Sequence, residues 1–156
     1  MALGKSEIAQ TVLERATVIS PLGIKRYIRL VEIATMNHDY LAVEKAFRQL
    51  IRIGVNSYHG SYEHSLGLAR CLLEKEKLQQ SGNDHIIKEC YSLCHQVKKK
   101  HANNEQALMQ AKLIEVKAVA QQGKIYQAIE QCKALYQQYS QYEDIDAGLG
   151  LDMVNA

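Results

Sequence analysis

Tryptophan is absent from this sequence, and phenylalanine and proline occur once each. No uninterrupted apolar stretch approaches the ~18 residues that a membrane-spanning helix needs. Scarce proline removes the commonest interruption of a helix and suits helices joined by short turns. Met1-Ala2-Leu3-Gly4-Lys5 lacks the apolar core of a secretory signal. The expected location is therefore cytoplasmic, with Cys71, Cys90, Cys94 and Cys132 as reduced thiols. Charge of one sign is scarce too: 19 Lys and Arg stand against 17 Asp and Glu, a formal net charge of +2. That balance gives no strong signal for nucleic acid or an anionic membrane. Gly-x-Ser-x-Gly, a phosphate-binding glycine loop and His-Glu-x-x-His are all missing, so no motif speaks for an enzyme.

What is present favours helices. Hydrophobic residues make up 47% of the chain and charged residues 23%, ordinary values for a globular domain. Ala, Leu, Ile, Gln, Glu and Lys are plentiful, and these are good helix formers. The expected class is all-α, with about seven helices.

Two segments answer each other, Asn37–Leu50 and Gln122–Leu135. Each opens on a small or polar turn, Asn37-His38 in one and Gly123 in the other, where a chain leaves one helix and reverses into the next. Each continues with apolar residues three and four apart: Tyr40, Val43, Phe47 and Leu50, then Ile125, Ala128, Cys132 and Leu135. That spacing marks helices buried on one face. Upstream of each turn lies another helical stretch, Ile24 to Met36 with Tyr27, Leu30, Val31 and Ala34, and Glu105 to Gln121 with Leu108, Ala111, Ile114 and Ala118. The unit is a helix, a tight turn and an antiparallel helix.

A unit of about 34 residues with this plan resembles a tetratricopeptide repeat (TPR). Tyr27, Leu30, the Asp39-Tyr40 turn, Phe47 and, for the preceding unit, Pro21 carry the resemblance, which is good for Pro21–Gly54 and Gly123–Leu135. It departs at Val31, Val43 and Leu50, where smaller residues are usual. The resemblance implies antiparallel helix pairs stacked as a right-handed superhelix over one domain, residues 1–156.

Around these repeats the pattern is less regular. Residues 1–5 read as disordered or extraneous to the fold. Ser6 to Ile19, within residues 6–21, reads as an orphan second helix with Ile8, Val12, Leu13 and Ala16 on one face. Its first helix is missing, so its outer face stays uncovered, and more protein is expected upstream. Residues 22–57 form a repeat and 61–101 a divergent helix pair, Tyr62 to Leu78 followed by a helix bearing Ile86, Ile87, Cys90, Leu93, Cys94 and Val97. The polar stretch Gln79–Asp84 between them predicts a mobile, exposed turn with Asp84 as the N-cap. Residues 104–140 form another repeat, and 143–156 a short helix or tail containing Gly148 and Gly150.

The runs Leu13-Glu14-Arg15-Ala16, Ile19-Ser20-Pro21-Leu22, Asn37-His38-Asp39-Tyr40 and Ala46-Phe47-Arg48 narrow the resemblance. They are similar to the C-terminal repeat region of bacterial response regulators that join a receiver domain to TPRs, as is Gly67-Leu68-Ala69-Arg70. The resemblance implies an upstream receiver domain and an output or regulatory role in two-component signal transduction. The receiver's phosphoacceptor pocket is not in this chain.

Candidate chemistry is thin. Cys90 and Cys94, one helical turn apart beside His85 and His95, could supply two corners of a zinc site. They equally lie on an apolar stripe, where free cysteine behaves as a small buried hydrophobe, and the expectation is no metal and no cofactor. Glu143, Asp144, Asp146 and Asp152 lack the calcium-loop pattern. Tyr58, Tyr62, Tyr136, Tyr139 and Tyr142 suit either an interface or packing between repeats. His38 stands where glycine is usual in the turn and has a structural role.

The remaining reading is a binding scaffold. First helices of such arrays line a concave side that commonly takes extended segments or helices. On the first repeat Lys25, Ile28, Arg29, Glu32 and Met36 face that groove or its edge, unless they are ordinary solvated residues. Ile28 and Met36 offer apolar area, and Lys25 and Arg29 can pair with acidic groups. The expected partner is a protein. Alternatives are a stand-alone adaptor in secretion or pilus assembly, homodimerisation through the orphan helix, and, less favoured, nucleic-acid binding through Lys98-Lys99-Lys100. That last run reads first as a helix C-terminus whose cations offset the macrodipole.

Overall fold

The computed structural model describes residues 4–54, 61–82 and 84–140. Among the described residues there are helices and no strand: α1 (Lys5–Ile19), α2 (Ile24–Met36), α3 (Tyr40–Gly54), α4 (Tyr62–Gln79), α5 (Asp84–Lys100), α6 (Glu105–Gln121) and α7 (Ile125–Tyr139). The expected tail helix at 143–156 lies outside the described residues, as do Tyr58 and Tyr142. The chain divides into two compact units, Met1–Lys75 and Glu76–Ala156, with the boundary near the end of α4.

In the first unit α2 is the central helix, packed against both α1 and α3. Its apolar positions fall three and four apart, and the structure buries them as that spacing requires: Tyr27, Leu30 and Ala34 are inside. From α3 come Val43, Ala46 and Leu50. Tyr27, Leu30, Ala46 and Leu50 form one cluster, while Ala34 and Val43 meet Cys71 of α4 in another. Phe47 leaves no room for a side chain at Gly67: a Cβ there would stand 2.4 Å from the ring. Gly67 thus lets α4 close on α3.

The second unit repeats the plan, with α6 packed against both α5 and α7. Met109, Leu113, Val116 and Val119 of α6 join Ala128, Leu135 and Tyr139 of α7 in its core. The α2–α3 and α6–α7 turns are built alike. His38 N–H donates to Thr35 O (3.1 Å) and Asp39 N–H to Ala34 O (2.9 Å); Gly123 N–H donates to Ala120 O (3.0 Å) and Lys124 N–H to Val119 O (3.3 Å). This is the Schellman closure, which needs one left-handed residue. Gly123 takes it at φ 86° and His38 at φ 56°. His38 therefore holds the glycine position of its turn.

Three local expectations need correction. Helix α1 starts at Lys5, with Gly4 N–H donating to the Glu7 carboxylate at 2.9 Å, so residues 4 and 5 belong to the fold. Asp84 is the first residue of α5 and not its cap. The turn before it is exposed, but it is pinned: the buried Glu76 carboxylate accepts from the Ser81 hydroxyl (2.6 Å) and from Gly82 N–H (2.9 Å). A glutamate inside a helical stripe gives no sequence signal for that role, because its partners lie beyond the helix end.

Candidate protein-binding faces

The five residues expected to line a binding face, Lys25, Ile28, Arg29, Glu32 and Met36, all lie on the exposed side of α2. Their spacing gathers them on one helical face, with Tyr27, Leu30 and Ala34 buried on the other. Met36 keeps 70% of its surface exposed and Ile28 39%. Arg29 Nη1 meets Glu32 Oε2 at 3.3 Å in an exposed ion pair of the kind that contributes little to stability. The face therefore offers apolar side chains set among charges.

A second feature of this unit is not evident from the spacing. A groove of about 550 Å³ runs between α1 and α3. Tyr27 and Leu30 contribute to its lining, with Glu14 and Val18 from α1 and Leu41 and Ala46 from α3. That volume is within the range of small-ligand clefts.

Beside the groove lies a polar cluster centred on Gln10, the one buried residue of α1. The Gln10 amide donates to Asp39 Oδ2 (2.7 Å) and to Glu14 Oε1 (3.0 Å), and its oxygen accepts from Asn37 Nδ2 (2.8 Å). Asn37 Nδ2 also donates to Ser6 O (3.1 Å). Asp39 has a further task, accepting the Ala42 N–H at 3.2 Å at the start of α3. The α2–α3 turn thus both reverses the chain and receives α1.

This arrangement corrects the face assigned to α1. Leu13 and Ala16 are partly buried, but Ile8 and Val12 are more than half exposed, and the inward stripe is Gln10, Leu13, Ala16 and Thr17. A reading based on apolarity finds Leu13 and Ala16 but misses Gln10 and adds Ile8 and Val12, which the structure leaves exposed. Besides Glu14 on the same helix, the hydrogen-bond partners that make Gln10 suitable for burial, Asn37 and Asp39, lie in the α2–α3 turn, far along the chain.

The cysteines are core residues. Cys71, Cys90 and Cys94 are buried, and Cys132 is half-buried. Burial first, then the nearby Glu44 carboxylate, pushes the Cys71 thiol up to about 11 from 9.0. Its Sγ donates to Tyr40 O at 3.3 Å. Among the described residues no group of three or more His, Cys, Asp or Glu is placed to hold a metal ion.

The basic run is divided by the fold. Lys98 Nζ meets Glu115 Oε1 of α6 at 2.6 Å and is mostly covered, while Lys99 and Lys100 are exposed. The tyrosines divide as well: Tyr139 is buried beneath Lys112, whose Nζ lies 5.7 Å from the ring centre, whereas Tyr136 is exposed. No described helix is long and apolar enough to cross a membrane. The chain matches no protein-family model, no curated protein and no solved structure.

Proposed function

We propose that this protein is a protein-recognition scaffold of the TPR type that works by binding, without chemistry of its own. The observation that carries the reading is the outer face of α2. Ile28 and Met36 are exposed there beside Lys25 and Arg29, on a helix whose opposite face is fixed in the core. Exposed apolar residues among charges are what a docking segment of another protein can use, and a firmly packed helix presents them preorganised. The duplicated helix–turn–helix plan of α2–α3 and α6–α7 supports the repeat assignment.

The narrower reading is an output or regulatory module of a bacterial two-component response regulator, its availability set by a receiver domain. It rests on Ile19-Ser20-Pro21-Leu22, Asn37-His38-Asp39-Tyr40 and the related short runs. The partner's identity follows from capture. The intact protein and an Ile28→Glu, Met36→Glu variant, both checked for helix content by circular dichroism, are used as baits in a lysate of the source cells. Proteins held by the first and lost by the second support binding through α2. Equal capture by both moves the binding surface elsewhere on the molecule.

A further inference from the structure

Helices α1 and α3 flank α2 in the same unit, yet they are attached by different means. From α3, Val43, Ala46 and Leu50 enter the core. From α1 no apolar side chain is fully buried; its one buried residue is Gln10, and Leu13 is its partly buried contribution to the Tyr27–Leu30 cluster. The other large apolar residues of α1, Ile8, Val12, Val18 and Ile19, are exposed.

Besides the partly buried Ala9, Leu13 and Ala16, what joins α1 to its neighbours is a set of polar bonds. Gln10 donates to Asp39 and accepts from Asn37, Asn37 donates to Ser6 O, and Arg26 Nη1 donates to Ala16 O at 3.3 Å. Water can replace such bonds when they open, so their net contribution is small beside that of buried apolar area. The link from α1 to α2 is Ser20-Pro21-Leu22-Gly23, with Pro21 and Leu22 exposed. In the other unit α5, which occupies the corresponding place before α6, buries Ile87, Cys90, Cys94 and Val97.

We infer that α1 is a displaceable cover. It undocks from α2 and from the α2–α3 turn as a single element while α2 and α3 stay folded, and it uncovers Tyr27 and Leu30 beside the groove when it does so. Gln10 is the latch: its amide bridges the helix to the α2–α3 turn, and opening breaks those bonds together. This inference does not depend on which face binds a partner.

Amide hydrogen exchange of the intact chain, followed residue by residue at several urea concentrations, tests it. The α1 amides exchange together, at least about tenfold faster than the slowest amides of α2 and α3, and with a weaker urea dependence because less surface is exposed. Two variants sharpen the reading. Gln10→Ala speeds α1 exchange by about tenfold. Val43→Ala, placed in the α2–α3–α4 cluster, speeds the slowest α2 and α3 amides and leaves the α1 amides unchanged, because Val43 stays packed when α1 opens. If Val43→Ala speeds all three helices by the same factor, α1 opens only with global unfolding and the inference is overturned. Should that variant not fold, equal protection and equal urea dependence across α1, α2 and α3 in the parent chain overturn it as well.

Discussion

At position 38 a histidine does what a glycine does at 123. Both turns close with the same pair of backbone hydrogen bonds and both need a left-handed residue. A side chain there costs energy that glycine avoids, though glycine loses more freedom on folding. The His38 ring is exposed, and its nearest recorded partner, Tyr40 Oη, lies 3.5 Å away, so little is lost with the side chain. His38→Gly is therefore expected to raise stability by about 0.5–1 kcal/mol, and Gly123→Ala to lower it by about 1 kcal/mol. Urea unfolding followed by circular dichroism measures both, and opposite signs are the diagnostic result. This residue role was legible in the sequence, because the two turns align. The Glu76 and Gln10 roles were not, because each is defined by hydrogen-bond partners that no local pattern specifies.

At the scale of the element, legibility follows how a helix is buried. The spans expected for α2 and α6, Ile24 to Met36 and Glu105 to Gln121, agree with the observed ends: α2 is apolar on one face, α6 is buried on nearly all sides, and each runs up to a clear turn. Asn104 adds a local signal at α6, its side chain accepting from Ala107 N–H at 3.1 Å. For α1 the span is nearly right and the inward face is half right: of the apolar residues Ile8, Val12, Leu13 and Ala16, only Leu13 and Ala16 turn inward, and they do so beside the polar Gln10. The two faces make different demands on mutation. Leu13→Ala removes partly buried area and is expected to cost about 1–2 kcal/mol. Ile8→Ala removes mostly exposed area from a helix that tolerates alanine well, and is expected to change stability by less than about 0.5 kcal/mol. The same urea titration decides, and a larger loss for Ile8→Ala than for Leu13→Ala would place Ile8 in the docked face.

For the whole molecule, the sequence shows a duplicated helix pair, and the structure shows two units each built around a central helix, α2 in one and α6 in the other. The five residues proposed for binding lie together on the outer face of α2. The sequence could not disclose the α1–α3 groove, because it arises from how two helices separated by α2 are spaced. Binding through α2 requires that a partner stand within reach of Ile28 and Met36. A photoreactive amino acid placed at position 28 or 36, and at the exposed Tyr126 of α7 as a control, reports that proximity directly. The account predicts the same cross-linked protein from positions 28 and 36 and none of it from 126. Cross-linking from 126 alone would contradict the assignment of the binding face to α2.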